Sequence, residues 1–176
     1  MSIALYDASI PVFLRYLNRL DGLVEAAESH ATGHQIDVSN LLRASIAPDM
    51  LPFETQVLIA ANFALRACFP LAGKLIPPYG EFPATTQGLH LRIAYVVGLL
   101  KTLHAAEFDG REAAVLESKA GNALVSLSAP EFLLQYALPN FFFHITAAYA
   151  ILRSLGVAVG KEHFDGFHSY EPEAEA

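Results

Sequence analysis

The sequence predicts an all-α fold, a four-helix bundle with a short β-hairpin between its third and fourth helices. Three observations carry this. Apolar residues recur at three- and four-residue steps through four long segments. Breaks rich in proline and glycine separate those segments. Residues 112 to 128 lose the helical period and centre on Lys119-Ala120-Gly121-Asn122, a turn-rich tetrapeptide.

In the first helix Ile10, Phe13, Leu17, Leu20 and Val24 make one apolar face, with Arg15, Asn18, Arg19 and Glu25 mostly off it. Pro11 either opens this helix or kinks one begun near Ser2, and Gly33 is expected to end it. A loop follows to Leu51, with Pro48 and Asp49 suited to a turn. Pro52 then fits a first helical position, and Gln56, Ile59, Phe63 and Ala67 form the second stripe. Pro70 and Gly73 weaken its end, and Pro77-Pro78-Tyr79-Gly80 breaks it. Thr85 or Thr86 caps the third helix, whose face is Leu89, Ile93, Val96, Leu100 and Leu103. After the hairpin, Ala129-Pro130-Glu131 opens the fourth helix and Gly156 closes it. Past Gly160 the chain is expected to be irregular. Residues 1–168 read as one domain, and 169–176 as an acidic, flexible tail.

With 176 residues, 53% of them apolar and 16% charged, the chain has a surplus of hydrophobic residues for one core. The surplus points to an oligomer interface as well, and a homodimer is the expected assembly. Phe141-Phe142-Phe143 covers most of a helical turn, so one side is left over for a second chain or for a covering element such as the bundle's own hairpin. The net charge of −7 and the scattered basic residues argue against nucleic acid and anionic membranes. Cys68 is the single cysteine, so an internal disulfide and a thiolate zinc cluster are both excluded. The first residues lack the features of a secretory leader, and a cytoplasmic location is the expectation.

From Phe132 to Leu152 no residue is charged. By length this run matches a membrane span, which takes about 20 apolar residues. Gln135, Asn140, His144 and Thr146 argue otherwise, because each would need a partner in lipid. The expectation is a helix buried on nearly all sides of a soluble bundle. Asn140, His144 and Ala148 share one stripe of it. Pro139 withholds a backbone donor from the carbonyl of Gln135, which adds a local acceptor. Gln56 lies on the apolar stripe of the second helix, and a buried amide needs a partner; His144 is one candidate. His144, Asn140 and Gln56 are therefore the candidate ligand-binding residues, set against a simpler reading of His144 as a hydrogen-bonded core histidine. Among the other histidines, His30 and His34 are separated by the expected end of their helix. His90 and His104 lie about 21 Å apart along theirs. No phosphate loop or nucleophile elbow is present.

The stretch from Ala137 to His144, with Thr146 to Arg153 after it, is distinctive. So are Tyr6-Asp7-Ala8-Ser9 through Leu14, and Gly156-Val157 with Gly160-Lys161. Together they resemble an uncharacterised bacterial family within the DinB-like (YfiT-like) superfamily of four-helix bundles, over nearly the whole chain. The resemblance implies an up-down-down-up bundle, often dimeric. It also implies, for many members, a divalent metal held by three histidines, one on the second helix and a His-x-x-x-His pair on the fourth. Some relatives are thiol-dependent transferases or isomerases. His144 matches the first histidine of the pair, but Ala148 stands at the second and Pro52 to Gly73 holds no histidine. One imidazole does not make a site that takes three or four protein ligands. The expectation is thus a DinB-like bundle without that metal site and without a cofactor, binding a small molecule or a partner. The alternative is a metal- or thiol-dependent enzyme that uses His144 in a buried polar pocket.

Overall fold

A computed structural model of the chain describes residues 3–169; the acidic tail from residue 170 on lies outside them. Helix α1 runs from Leu5 to His34 and buries Ile10, Phe13, Leu17, Leu20 and Val24, the stripe its spacing predicts. Pro11 sits inside it on an exposed edge, where only the carbonyl of Asp7 loses a donor. Gly33 does not stop the helix. Gln35 does, in the left-handed conformation (φ 56°), and the Ile36 amide closes the end on the carbonyl of Ala31.

The expected loop to Leu51 contains a short helix, α2, from Val38 to Leu42. Asp37 Oδ1 caps it by accepting from the Ser39 amide at 2.8 Å, and Leu41 and Leu42 are its buried residues. Helix α3 spans Phe53–Leu71 with Pro52 as the flanking residue. It is the central helix and packs against α1, against α4 (Thr86–Leu100) and against the last long helix. Thr85 caps α4, its Oγ1 accepting from the Gly88 amide at 3.1 Å.

Strands β1 (Val115–Ala120) and β2 (Ala123–Ser128) form the expected hairpin. Ala120 pairs with Ala123, so the turn is Gly121-Asn122, with Gly121 at φ 59°. Arg66 on α3 holds this hairpin down: Nη2 reaches Ser118 Oγ and the Lys119 carbonyl, each at 2.7 Å. Ser128 then opens the last long helix through a capping box with Glu131.

That last element is continuous but not uniform. A first turn, α5 (Ala129–Glu131), passes into a wide π-helical stretch, Phe132–Ala137, and then into α6, Leu138–Ser154. The widening comes just before Pro139, whose ring and missing N–H disfavour an ordinary α-turn there. The expectation that this helix is buried on nearly all sides is corrected. Leu134, Gln135, Pro139, Phe143 and Thr146 are exposed, and α3, not α6, is enclosed by its neighbours. The apolar side chains of Phe132, Leu133, Phe141, Ile145, Ile151 and Leu152 still fill the core.

Past Gly160 the chain is not irregular throughout. Helix α7, Lys161–Asp165, docks on α1, where Arg15 Nε donates to the Asp165 carbonyl at 3.1 Å and its guanidinium lies 3.4 Å from the centre of the Phe167 ring. No helix among the described residues is long and apolar enough to cross a membrane.

Candidate functional site

Helices α3 and α6 run antiparallel, since residue 56 meets 144 and residue 66 meets 136. Along this seam the structure brings Gln56 and His144 together at 2.7 Å. Gln56 is 2% exposed, and its Nε2 donates to the Leu51 carbonyl at 3.0 Å. That bond orients the amide, so Oε1 faces His144 and the imidazole donates from Nδ1. Nε2 of His144 is then the acceptor nitrogen. His144 is half-buried, not enclosed, and lies between Phe63, stacked at 5.9 Å, and the edge of Phe143 at 5.2 Å. Burial pushes its pKa below the ordinary 6.5.

Asn140 does not join this pair. Its Nδ2 donates one turn back, to the Tyr136 carbonyl at 2.7 Å. The predicted stripe is therefore two polar units: Gln56 with His144, and Asn140 with Tyr136, whose hydroxyl accepts from Arg66 at 3.1 Å. Ala148 is fully buried in apolar packing where a second imidazole would be needed. Among the described residues no three histidine, cysteine, aspartate or glutamate side chains come together as an ion would require. The residues present do not fit a three-histidine metal.

Other histidines act locally. His30 and His34 stack on one another at 4.1 Å on the surface. His90 bridges two α1 carboxylates, Asp21 at 2.6 Å and Glu28 at 3.4 Å. Burial opposes its charge, but those hydrogen bonds and charges outweigh it and raise the pKa above 6.5. Cys68 is fully buried, and that burial pushes its thiol well above the ordinary range.

The most site-like feature lies on the opposite face of α3. Helices α3 and α4 and the segment 79–84 wall a cavity of about 410 Å³. Arg92 lines it and is 2% exposed. Its Nη2 donates to Asn62 Oδ1, while Nε and Nη1 have no acceptor among the described residues. Three aromatic rings surround the charge, with centres 5.3 Å (Tyr79), 5.7 Å (Phe82) and 6.0 Å (Tyr95) from Cζ. Burial lowers the pKa of the guanidinium, which nonetheless stays charged at any ordinary pH. The segment above is pinned at both ends: Tyr95 Oη donates to the Pro78 carbonyl at 3.0 Å, and the Thr85 amide to that of Pro83 at 2.9 Å. Gly88 lets it close, because a Cβ there would come within 1.8 Å of the Pro83 oxygen.

Sequence reasoning missed Arg92. The signal was present: Arg92 is three residues after Leu89 and four before Val96, on the buried face of α4. A single arginine on an apolar stripe ordinarily reads as a side chain that carries its charge out to water, and only the packing of Tyr79 and Phe82 over it shows otherwise.

Comparison with known proteins agrees with this architecture. No curated protein matches the chain. Among solved structures it is similar to a crystal structure of a DinB family member protein from Shewanella denitrificans, at 32% identity and a TM-score of 0.83, over 96% of this chain and 95% of that one. The family described as domain of unknown function DUF1993 matches residues 5–165. A bundle with a hairpin before its last helix, a close DinB structural likeness and a match over nearly its whole length place this chain in one family: it belongs to DUF1993, with a DinB-like fold.

Proposed function

We propose that this protein binds a small molecule in the cavity between α3 and α4, without a cofactor. The observation that carries this is the buried guanidinium of Arg92, set in the wall of a cavity of about 410 Å³. Asn62 and the three rings hold part of the group, but a buried N–H left without an acceptor costs stability, so a binding role accounts for the unpaired Nε and Nη1. The test is a fragment screen read by amide chemical shifts. Binders are expected to perturb residues 79–84 and the facing turns of α3 and α4. Perturbations confined to other surfaces, or none at all, would refute the reading.

The same proposal includes a homodimer, supported by Phe143 (62% exposed) and Leu134 (59% exposed) on the outer side of the last long helix. A cytoplasmic location fits a chain with one cysteine and no internal disulfide.

A second reading places chemistry at His144, with Gln56 and Asn140 as orienting groups. It is supported by the fixed tautomer: Nδ1 is committed to Gln56, and burial keeps the ring neutral, so Nε2 is available as a base. His144→Ala separates this from a purely structural histidine, whose loss should cost about 1–3 kcal/mol of stability. An unchanged melting temperature would favour the catalytic reading.

A further inference from the structure

We infer that the α3–α4 cavity takes an organic monocarboxylate, with Arg92 as the group that recognises it. This rests on the cavity being the binding site and adds the chemical class of its ligand.

The first argument is the state of the guanidinium. Nε carries one hydrogen and Nη1 two, and none has an acceptor among the described residues. The rings of Tyr79, Phe82 and Tyr95 offer π faces to the charge but no lone pairs to those N–H groups. A lysine could escape such a place by losing its proton; an arginine cannot. Nε and Nη1 lie on different edges of the guanidinium, so a two-oxygen anion takes one of them together with the second hydrogen of Nη2, the usual guanidinium fork.

The second argument is charge. Arg92 is the one cation among the cavity-lining residues, and Glu54 and Glu81 line the cavity as well. Those two carboxylates outnumber the guanidinium, so an anion is held by direct pairing with Arg92 and not by the charge of the lining, which leaves room for a single negative charge. A dianion such as phosphate would meet those two carboxylates with its second charge uncompensated, and phosphate sites ordinarily gather several donors. The third argument is the wall. Leu58, Phe82, Pro83 and Leu89 are apolar, which suits a ligand whose body is hydrocarbon or aromatic.

Arg92 is covered by its aromatic neighbours, so the anion reaches it when Tyr79 and Phe82 turn aside. Gly80, at φ 75°, lies between them.

Titration calorimetry on the full chain, with benzoate, phenylacetate and hexanoate each against its neutral amide, tests this. Inorganic phosphate is the further probe. At least one carboxylate is expected to bind saturably, about tenfold or more tighter than its amide. Arg92→Gln should weaken it about tenfold or more. Asn62→Asp should do the same by placing an internal carboxylate on Nη2, and it serves as the readout if Arg92→Gln does not fold. Amides that bind as well as the acids would overturn the carboxylate class while leaving the cavity as the ligand site. Phosphate binding tighter than every carboxylate would overturn it too, as would carboxylate binding unchanged in both variants. No binding by any probe would sink both the inference and the cavity reading.

Discussion

Gln56 on α3 and His144 on α6 form a 2.7 Å hydrogen bond between residues 88 positions apart, and a second bond from Gln56 to Leu51 sets its direction. The pair ties the start of the central helix to the middle of the last one. Gln56→Leu should strand the imidazole donor, and His144→Phe should strand the amide oxygen. Each is expected to cost about 1–3 kcal/mol in urea unfolding. The double variant should cost less than the two singles added, because neither partner is left behind. Strict additivity would show that the bond contributes nothing.

Two histidines should titrate on opposite sides of pH 6.5. For His144 the folded value lies below the unfolded one, so its contribution to stability is complete above pH 6.5 and falls away as pH drops below it. For His90 the folded value is raised, so its contribution is present below pH 6.5 and is lost as pH rises through the folded value. Imidazole carbon–proton spectra recorded against pH check both. Coincident midpoints for the two rings would refute the assignment.

Asp165 should hold the C-terminal turn at low pH. The backbone amide of Phe167, with help from the amide and ring of His168, lowers its carboxyl to about 2 from an ordinary 3.8. Its contribution is present above pH 3.8 and is lost as pH falls through about 2. Asp165→Asn is expected to flatten the acid limb of a stability–pH curve over that window. An unchanged limb would count against the turn.

Glycine substitutions should split by position. Gly88→Ala drives a methyl into the Pro83 carbonyl and should lift the segment above Arg92, at about 1–3 kcal/mol. Faster proteolysis between residues 77 and 84 is the accompanying sign. At Gly22, inside α1, nothing lies within 4 Å of the added carbon, so Gly22→Ala should stabilise by about 0.5–1 kcal/mol. Equal effects at both sites would show that the close approach at Gly88 is unimportant.

Light scattering after size exclusion should give twice the 19.1 kDa chain mass at micromolar concentration. Phe143→Glu is expected to return the monomer, because it replaces an exposed apolar ring by a charge. A monomer for the unaltered chain would remove the dimer from the proposal.

Much of the fold was legible because burial in a bundle repeats every three or four residues. The stripes of α1 and α4, and the Gly121-Asn122 turn, needed only local rules. Helix α7 was not legible: it is five residues long and is held by Arg15, which lies 150 positions away. Gln56 and His144 stood out as polar groups on apolar stripes, and each was one candidate partner for the other; only the packing of α3 on α6 selects that pair. Asn140 shared the stripe, yet its amide found the closer Tyr136 carbonyl. Arg92 stayed hidden because its enclosure depends on a loop folding over it, which no helical period encodes.

The wide stretch at Phe132–Ala137 has a consequence for how this helix tolerates length changes. A π-turn takes up one more residue than an α-turn, and one residue is worth roughly 100° of rotation about the axis. It therefore sets the angular phase between the core contacts of Phe132 and Leu133 at its start and those of Phe141 and His144 in α6. Deleting one residue there would straighten the turn but swing one set of contacts off its partners, so the two halves of the last helix are geared to each other through a single surplus residue.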